Sequence, residues 1–152
     1  MIFTPASIPG ISDAHLRMPF VEKGMAVGLF GGSFNPPHAG HALVAEIAMR
    51  KLKLDQLWWI VTPGNPLKDK RELAPLSDRL EKCEALIHDP RVKVTAFEAA
   101  HHIRYTADTL ALIKLKDSSA EHFLKAFLQI TFVDCHLPAE FLDCNRLPDM
   151  LQ

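Results

Sequence analysis

Apolar residues fall in short blocks along the chain, and the spacing inside each block predicts an element. Residues 25–30 (MAVGLF) form a continuous apolar run that halts at Gly31 and Gly32. That is the pattern of a strand buried on both faces of a parallel sheet and closed by a tight turn. From residue 39 to 53 the period changes. Leu43, Ile47, Leu52 and Leu54 recur at near-helical spacing, with Glu46, Arg50, Lys51 and Lys53 between them, which predicts an amphipathic helix. Residues 57–62 (LWWIVT) then predict a second strand. Strand, helix and strand in this order make a βαβ unit, whose right-handed crossover builds a parallel sheet.

Pro63, Gly64, Asn65 and Pro66 open a loop that runs to Pro75. Ser77 is expected to cap a helix over residues 78–88, stopped by Asp89 and Pro90. Residues 92–97 predict a third strand. Tyr105 or Thr106 starts a helix carrying Leu110, Leu112, Ile113 and Leu115, which ends near Lys116. Residues 123–133 are expected to be a fourth strand, whereas 137–152 show no period. No internal repeat or low-complexity segment interrupts this order. The chain therefore divides into an N-terminal extension (1–24), an α/β domain (25–133) and a tail (134–152).

Composition narrows the function. A chain of 152 residues with 48% hydrophobic content suits one domain with one core. Seventeen basic against eighteen acidic side chains leave a formal net charge of −1. The broad basic excess of a nucleic-acid binder is missing, so a nucleotide ligand is expected to be small. Asp13, Arg17, Glu22 and Lys23 break up the first 24 residues, which lack the apolar run of a leader or membrane span. The expected location is the cytoplasm, with no membrane partner. Cys83, Cys135 and Cys144 are odd in number and lack CxxC spacing, as expected of reduced, structural thiols.

The candidate chemistry lies in GGSFNPPHAGH, Gly31 to His41, at the carboxyl end of the first strand and the start of the first helix. Doubly wound sheets place their ligands there. Gly31 and Gly32 allow the backbone to approach an anion, Pro36 and Pro37 stiffen the loop, and the first helical turn offers N–H groups. The helix dipole adds about half a positive charge. His38 and His41, three apart, can lie on one face and donate to the same phosphate. The alternatives are structural histidines or a two-ligand metal site, the latter lacking a third ligand nearby in sequence.

This eleven-residue string closely resembles the glycine-rich, HxGH-containing signature of the nucleotidyltransferase superfamily, in the form found in bacterial nicotinate-nucleotide adenylyltransferases. The resemblance continues in the Pro-x-x-Pro-x-Lys loop from Pro63 to Lys68, in Ser77-Asp78-Arg79, and in YTADTL from Tyr105 to Leu110. It covers residues 25–116. It implies a Rossmann-like parallel-sheet fold and adenylyl transfer from ATP to nicotinate mononucleotide in NAD biosynthesis, with Mg²⁺ accompanying ATP and no protein-held metal. His38 and His41 would contact the ATP phosphates, and the backbone of Gly31, Gly32, Ser33 and Phe34 would line the phosphate site. Lys68 would face the leaving pyrophosphate, with solvated surface as the alternative. Thr106, with Tyr105, would hold the nicotinate carboxylate, with helix capping as the alternative. Assembly of identical copies is left open.

Two parts of the resemblance fail. A Gly-Ala-Asp string after the fourth strand and a late Ser/Thr-rich motif ending in Arg are both missing after Lys116, so the fold is expected to be incomplete toward the C-terminus. A reading-frame change near residues 117–128, a deliberately shortened chain and natural divergence are the candidate causes. The competing functions are pantetheine-phosphate adenylyltransferase or cytidylyltransferase activity on the same loop, or a non-catalytic nucleotide-binding remnant.

Overall fold

The computed structural model describes residues 6–22, 24–64, 72–116 and 126–128. Its elements run α1 (Asp13–Leu16), β1 (Val27–Gly32), α2 (Ala39–Lys51), β2 (Gln56–Val61), α3 (Leu76–Leu86), β3 (Val92–Thr95), α4 (Phe97–Ala100), α5 (Thr106–Lys116) and β4 (Ala126–Leu128). The four strands form one sheet in the order β3-β2-β1-β4, every pair parallel. After β3 the chain crosses over β2 and β1 to place β4 on the far side of β1. That reversal makes the β1/β4 boundary the topological switch point, the crevice where such sheets bind ligands.

Both strand blocks that read as continuous apolar runs alternate between two cores. Phe30, Leu57, Trp59 and Val61 face α2 and α3, where Ala45, Ala48, Met49, Leu80 and Cys83 meet them. Val27, Leu29, Trp58 and Ile60 face the other way, against Phe97, Ile103, Leu112 and Ile113. The period of two is intact, but both faces are covered, so it leaves no polar alternation in the sequence.

Residues 6–22 run from the first face, where Ile11 packs and His15 bonds Glu84 of α3 at 2.9 Å, to the second. Leu16 is buried, and Met18 and Val21 pack on the second core. The His15 carbonyl accepts the Ala96 N–H at 2.7 Å, and the Thr95 hydroxyl lies 3.1 Å from the His15 carbonyl and 3.2 Å from that of Arg17. The Gln56 amide donates to the Phe20 carbonyl at 3.1 Å. These contacts tie the segment to the end of β3, which lies at the edge of the sheet among the described residues.

Several expectations are revised. β1 continues through Gly31 and Gly32, which pair with Ile60 and Val61, so the tight turn comes later. Ser77 does not cap α3. Pro75 holds that position with extended backbone (φ −51°, ψ 143°), and Ser77 lies inside the helix with its hydroxyl 3.3 Å from Asp78 Oδ1. The helix stops at Leu86 because Ile87 is already extended (φ −98°, ψ 126°) as the chain approaches Pro90. β3 ends at Thr95, and Phe97 instead opens the short α4. Lys68, Cys135, Cys144 and residues 134–152 lie outside the described residues.

Candidate active site

The site begins where β1 ends. The Gly32 carbonyl accepts the Thr62 N–H at 2.9 Å, so it points toward β2. In a trans peptide unit the N–H lies opposite the carbonyl, so the Ser33 N–H points toward the β4 side and into the crevice. A Cβ on Gly31 would meet nothing within 4 Å, whereas one on Gly32 would meet the Phe34 ring at 3.2 Å. Gly31 thus leaves the crevice floor open, and Gly32 makes room for the aromatic ring that folds back beneath the loop.

Phe34 makes the turn in place of the glycines. Its φ of +47° is left-handed, a conformation that a bulky residue adopts only when its surroundings hold it, at roughly 1–3 kcal/mol of strain. Packing supplies the restraint. The ring is 2% exposed, with centroids 4.8 Å from Trp59, 5.1 Å from His41 and 5.3 Å from Phe30. Its side chain therefore belongs to the core, and its backbone is what it can offer a ligand. Beyond it, the Asn35–Pro36 peptide is cis. The Asn35 side-chain amide donates to the Glu72 carbonyl at 2.8 Å, and its oxygen accepts the Ala74 N–H at 3.0 Å.

His38 and His41 are brought together by a reciprocal cap at the start of α2. His38 occupies the N-cap, and its Nδ1 accepts the Gly40 N–H at 3.1 Å. In return His41 Nδ1 accepts the His38 N–H at 3.1 Å, which places the two ring centroids 3.8 Å apart. The His41 N–H also bonds within the turn, to the His38 carbonyl at 2.9 Å. Donors for an anion must therefore come chiefly from the rings and the preceding loop, rather than from all the first-turn amides.

The tautomers follow from these bonds. Each ring uses Nδ1 as an acceptor, so the neutral ring carries its proton on Nε2. Burial, reinforced by the neighbouring His38, lowers the His41 pKa to about 4. A neutral His41 is what the cap requires, because a protonated Nδ1 cannot accept the His38 N–H.

A pH dependence of stability follows. The unfolded chain binds the His41 proton near pH 6.5, whereas the folded chain resists it until about pH 4. This contribution is intact above pH 6.5 and is lost as pH falls toward 4, amounting to at most about 3 kcal/mol at 1.36 kcal/mol per unit. Between pH 7.5 and 5 the urea midpoint of the parent chain is expected to fall further than that of His41→Asn. Parallel curves would show that His41 titrates normally.

Arg79 was visible in sequence only as part of a helix-start motif, yet it is 1% exposed beneath the loop. Its guanidinium donates from Nε to the Ala74 carbonyl at 2.9 Å and from Nη1 to the Ser33 and Thr62 carbonyls, each at 2.8 Å. Burial disfavours its charge, and the three carbonyl dipoles offset that penalty. The signal in sequence was its register: Leu76, Arg79, Leu80 and Cys83 share the spacing of a buried helical stripe. Cys83, at 0% exposure, has its thiol pushed up to about 12 by burial and is unsuited to nucleophilic chemistry.

Tyr105 and Thr106 stand at the N-terminus of α5. The Tyr105 carbonyl accepts the Asp108 and Thr109 N–H groups at 3.0 and 3.2 Å, Thr106 is half-buried, and Tyr105 is exposed. One turn on, the buried Thr109 hydroxyl donates to Glu98 Oε1 at 2.6 Å, tying α5 to α4. The Glu98 carboxyl is raised by burial, against the lowering effect of that bond. Among the described residues, no group of three His, Cys, Asp or Glu side chains is placed to hold a metal ion. No helix among them is long and apolar enough to cross a membrane.

A four-stranded parallel sheet covered by helices on both faces, with a paired-histidine cap at the end of its central strand, defines an α/β protein of the Rossmann-like nucleotidyltransferase fold. The chain belongs to the cytidylyltransferase-like family, whose model matches residues 29–135. It is similar to a protein of Mesorhizobium japonicum named probable nicotinate-nucleotide adenylyltransferase, with 70% identity over 104 residues, 68% of this chain and 53% of the relative. Relatives of the same name from Brucella abortus and Agrobacterium fabrum share 79% identity over 90 residues and 71% over 93. These matches cover 59% and 61% of this chain, and 46% and 50% of the relatives. The chain thus spans about half the length of the curated relatives it matches.

Proposed function

We propose that this chain acts in adenylyl transfer from ATP to nicotinate mononucleotide, giving nicotinate adenine dinucleotide and pyrophosphate in the cytoplasmic synthesis of NAD. The observation that carries the reading is the reciprocal His38–His41 cap beside the open end of β1, in a family whose similar members bear that name. An oxygen of the nicotinate mononucleotide phosphate attacks the α-phosphorus of ATP, and the bond to the bridging oxygen of the β-phosphate breaks. The attacking phosphate is already largely ionised at neutral pH, so a base contributes little. What remains is alignment and charge stabilisation, assigned to the His38 and His41 Nε2–H donors and to the Ser33 and Phe34 N–H groups. Lys68 is assigned to the departing pyrophosphate as a point charge. Mg²⁺ carried by ATP would neutralise part of the phosphate charge there.

The test is turnover by the purified chain with ATP and nicotinate mononucleotide, following dinucleotide by chromatography alongside pyrophosphate release. Phosphopantetheine with ATP, and choline phosphate with CTP, are run in parallel. Dinucleotide formed only from the first pair supports the assignment. Faster reaction with another pair reassigns the acceptor, and ATP binding without turnover identifies a non-catalytic nucleotide binder.

Thr106→Val probes the acceptor side. With Thr106 and Tyr105 assigned to the nicotinate carboxylate, loss of one hydrogen bond to a charged group, worth about 1.5–3 kcal/mol, should raise KM for nicotinate mononucleotide roughly 10- to 100-fold. KM for ATP should stay within a few-fold. An equal rise for both substrates removes Thr106 from the acceptor site.

A further inference from the structure

We propose that Arg79 is a positioning residue that sets the Ser33–Phe34 peptide so that the Phe34 N–H faces the phosphate site. The proposal rests on the anion-site reading above and adds the device that orients one of its donors. The guanidinium draws the Ser33 carbonyl inward at 2.8 Å. Because carbonyl and N–H of a trans peptide lie on opposite sides, the Phe34 N–H turns away from Arg79 and out of the core. The preceding peptide is set by a different bond, from the Thr62 N–H to the Gly32 carbonyl at 2.9 Å. Two successive N–H groups are thus oriented by two different anchors, Thr62 just past β2 and Arg79 on α3.

Arg79 suits this task better than lysine would. Its planar fork reaches the Ala74, Ser33 and Thr62 carbonyls from fixed directions, joining the start of α3, the glycine-rich loop and the end of β2. A lysine ammonium retains the charge, but its single nitrogen lacks that fork. No carboxylate among the described residues pairs with Arg79. Its positive charge beneath the loop therefore favours an anion above it as well. The left-handed Phe34 backbone fits the same picture, because it is the consequence of turning this peptide while the ring stays in the core.

The experiment is a titration of the ¹⁵N-labelled chain with sodium pyrophosphate, following backbone amides by NMR. In the parent chain the Ser33 and Phe34 amide protons should both move downfield. In Arg79→Lys the Phe34 shift should be lost, the Ser33 shift should persist, and pyrophosphate should bind at least 10-fold more weakly. Leu80→Ala, which opens the core one residue away without touching the anchor, serves as a control for general destabilisation. It should keep both shifts while folded. An unchanged Phe34 response in Arg79→Lys, or its equal loss in Leu80→Ala, overturns the proposal and leaves the anion site standing. If the parent responds at Ser33 but not at Phe34, the proposal falls even if Arg79→Lys does not fold. No response at either amide or at the His38 and His41 rings overturns the anion site itself.

Discussion

Adenylyl transfer by His41→Ala is expected to fall by about 10²-fold or more, the usual consequence of deleting one preorganised donor to developing charge. Two roles of the ring have to be separated. Its Nδ1 holds the His38 N–H, whereas its Nε2–H is the donor assigned to phosphate. His41→Asn divides them, because an asparagine oxygen can stand near the Nδ1 position and keep the cap, while nothing replaces Nε2. Alanine should therefore lower both rate and stability, and asparagine should lower the rate by a similar factor with a smaller change in stability. Steady-state rates with urea unfolding read the two quantities separately. Rates within a few-fold of the parent in both variants would leave His41 a capping residue and nothing more.

How much of this site could be read beforehand follows from the range of the interactions involved. The histidine pair was legible because its geometry is local: a spacing of three at a helix start suffices to bring the rings together. The strands were legible as blocks because both faces of the sheet are buried. The glycines were assigned the turn, but Gly31 and Gly32 remain in the strand, and the left-handed position belongs to Phe34. No local rule favours a buried phenylalanine there. What selects it is packing against Trp59, on a strand 25 residues further along the chain. Arg79 and Asn35 were hidden for the same reason, since their partners are the Ser33, Thr62, Glu72 and Ala74 backbone groups. The tie between residues 6–22 and the end of β3 depends on carbonyls at His15 and Arg17, which carry no side-chain signature at all.

A large stability effect is expected at Trp59. Fully buried on β2, it contacts Phe30, Phe34 and His41, so Trp59→Ala removes the wall that holds the loop's aromatic ring. Truncating a buried tryptophan typically costs about 3–5 kcal/mol, a large part of the roughly 5–15 kcal/mol available to a whole domain. Trp58 is the natural comparison. It is the preceding residue on the same strand and 1% exposed, but it faces Phe97 in the opposite core. The two alanine variants should lose similar amounts in urea unfolding. They should differ in anion binding, because Trp59, unlike Trp58, packs against the Phe34 ring and helps hold its left-handed conformation. With the ring released, Phe34 gains by relaxing to ordinary backbone angles, and its N–H leaves the orientation proposed for phosphate. Pyrophosphate affinity measured at a temperature where both variants remain folded should therefore drop about 10-fold or more in Trp59→Ala and stay within a few-fold of the parent in Trp58→Ala. Equal losses in the two would mean that global stability, rather than the Trp59–Phe34 contact, shapes the loop.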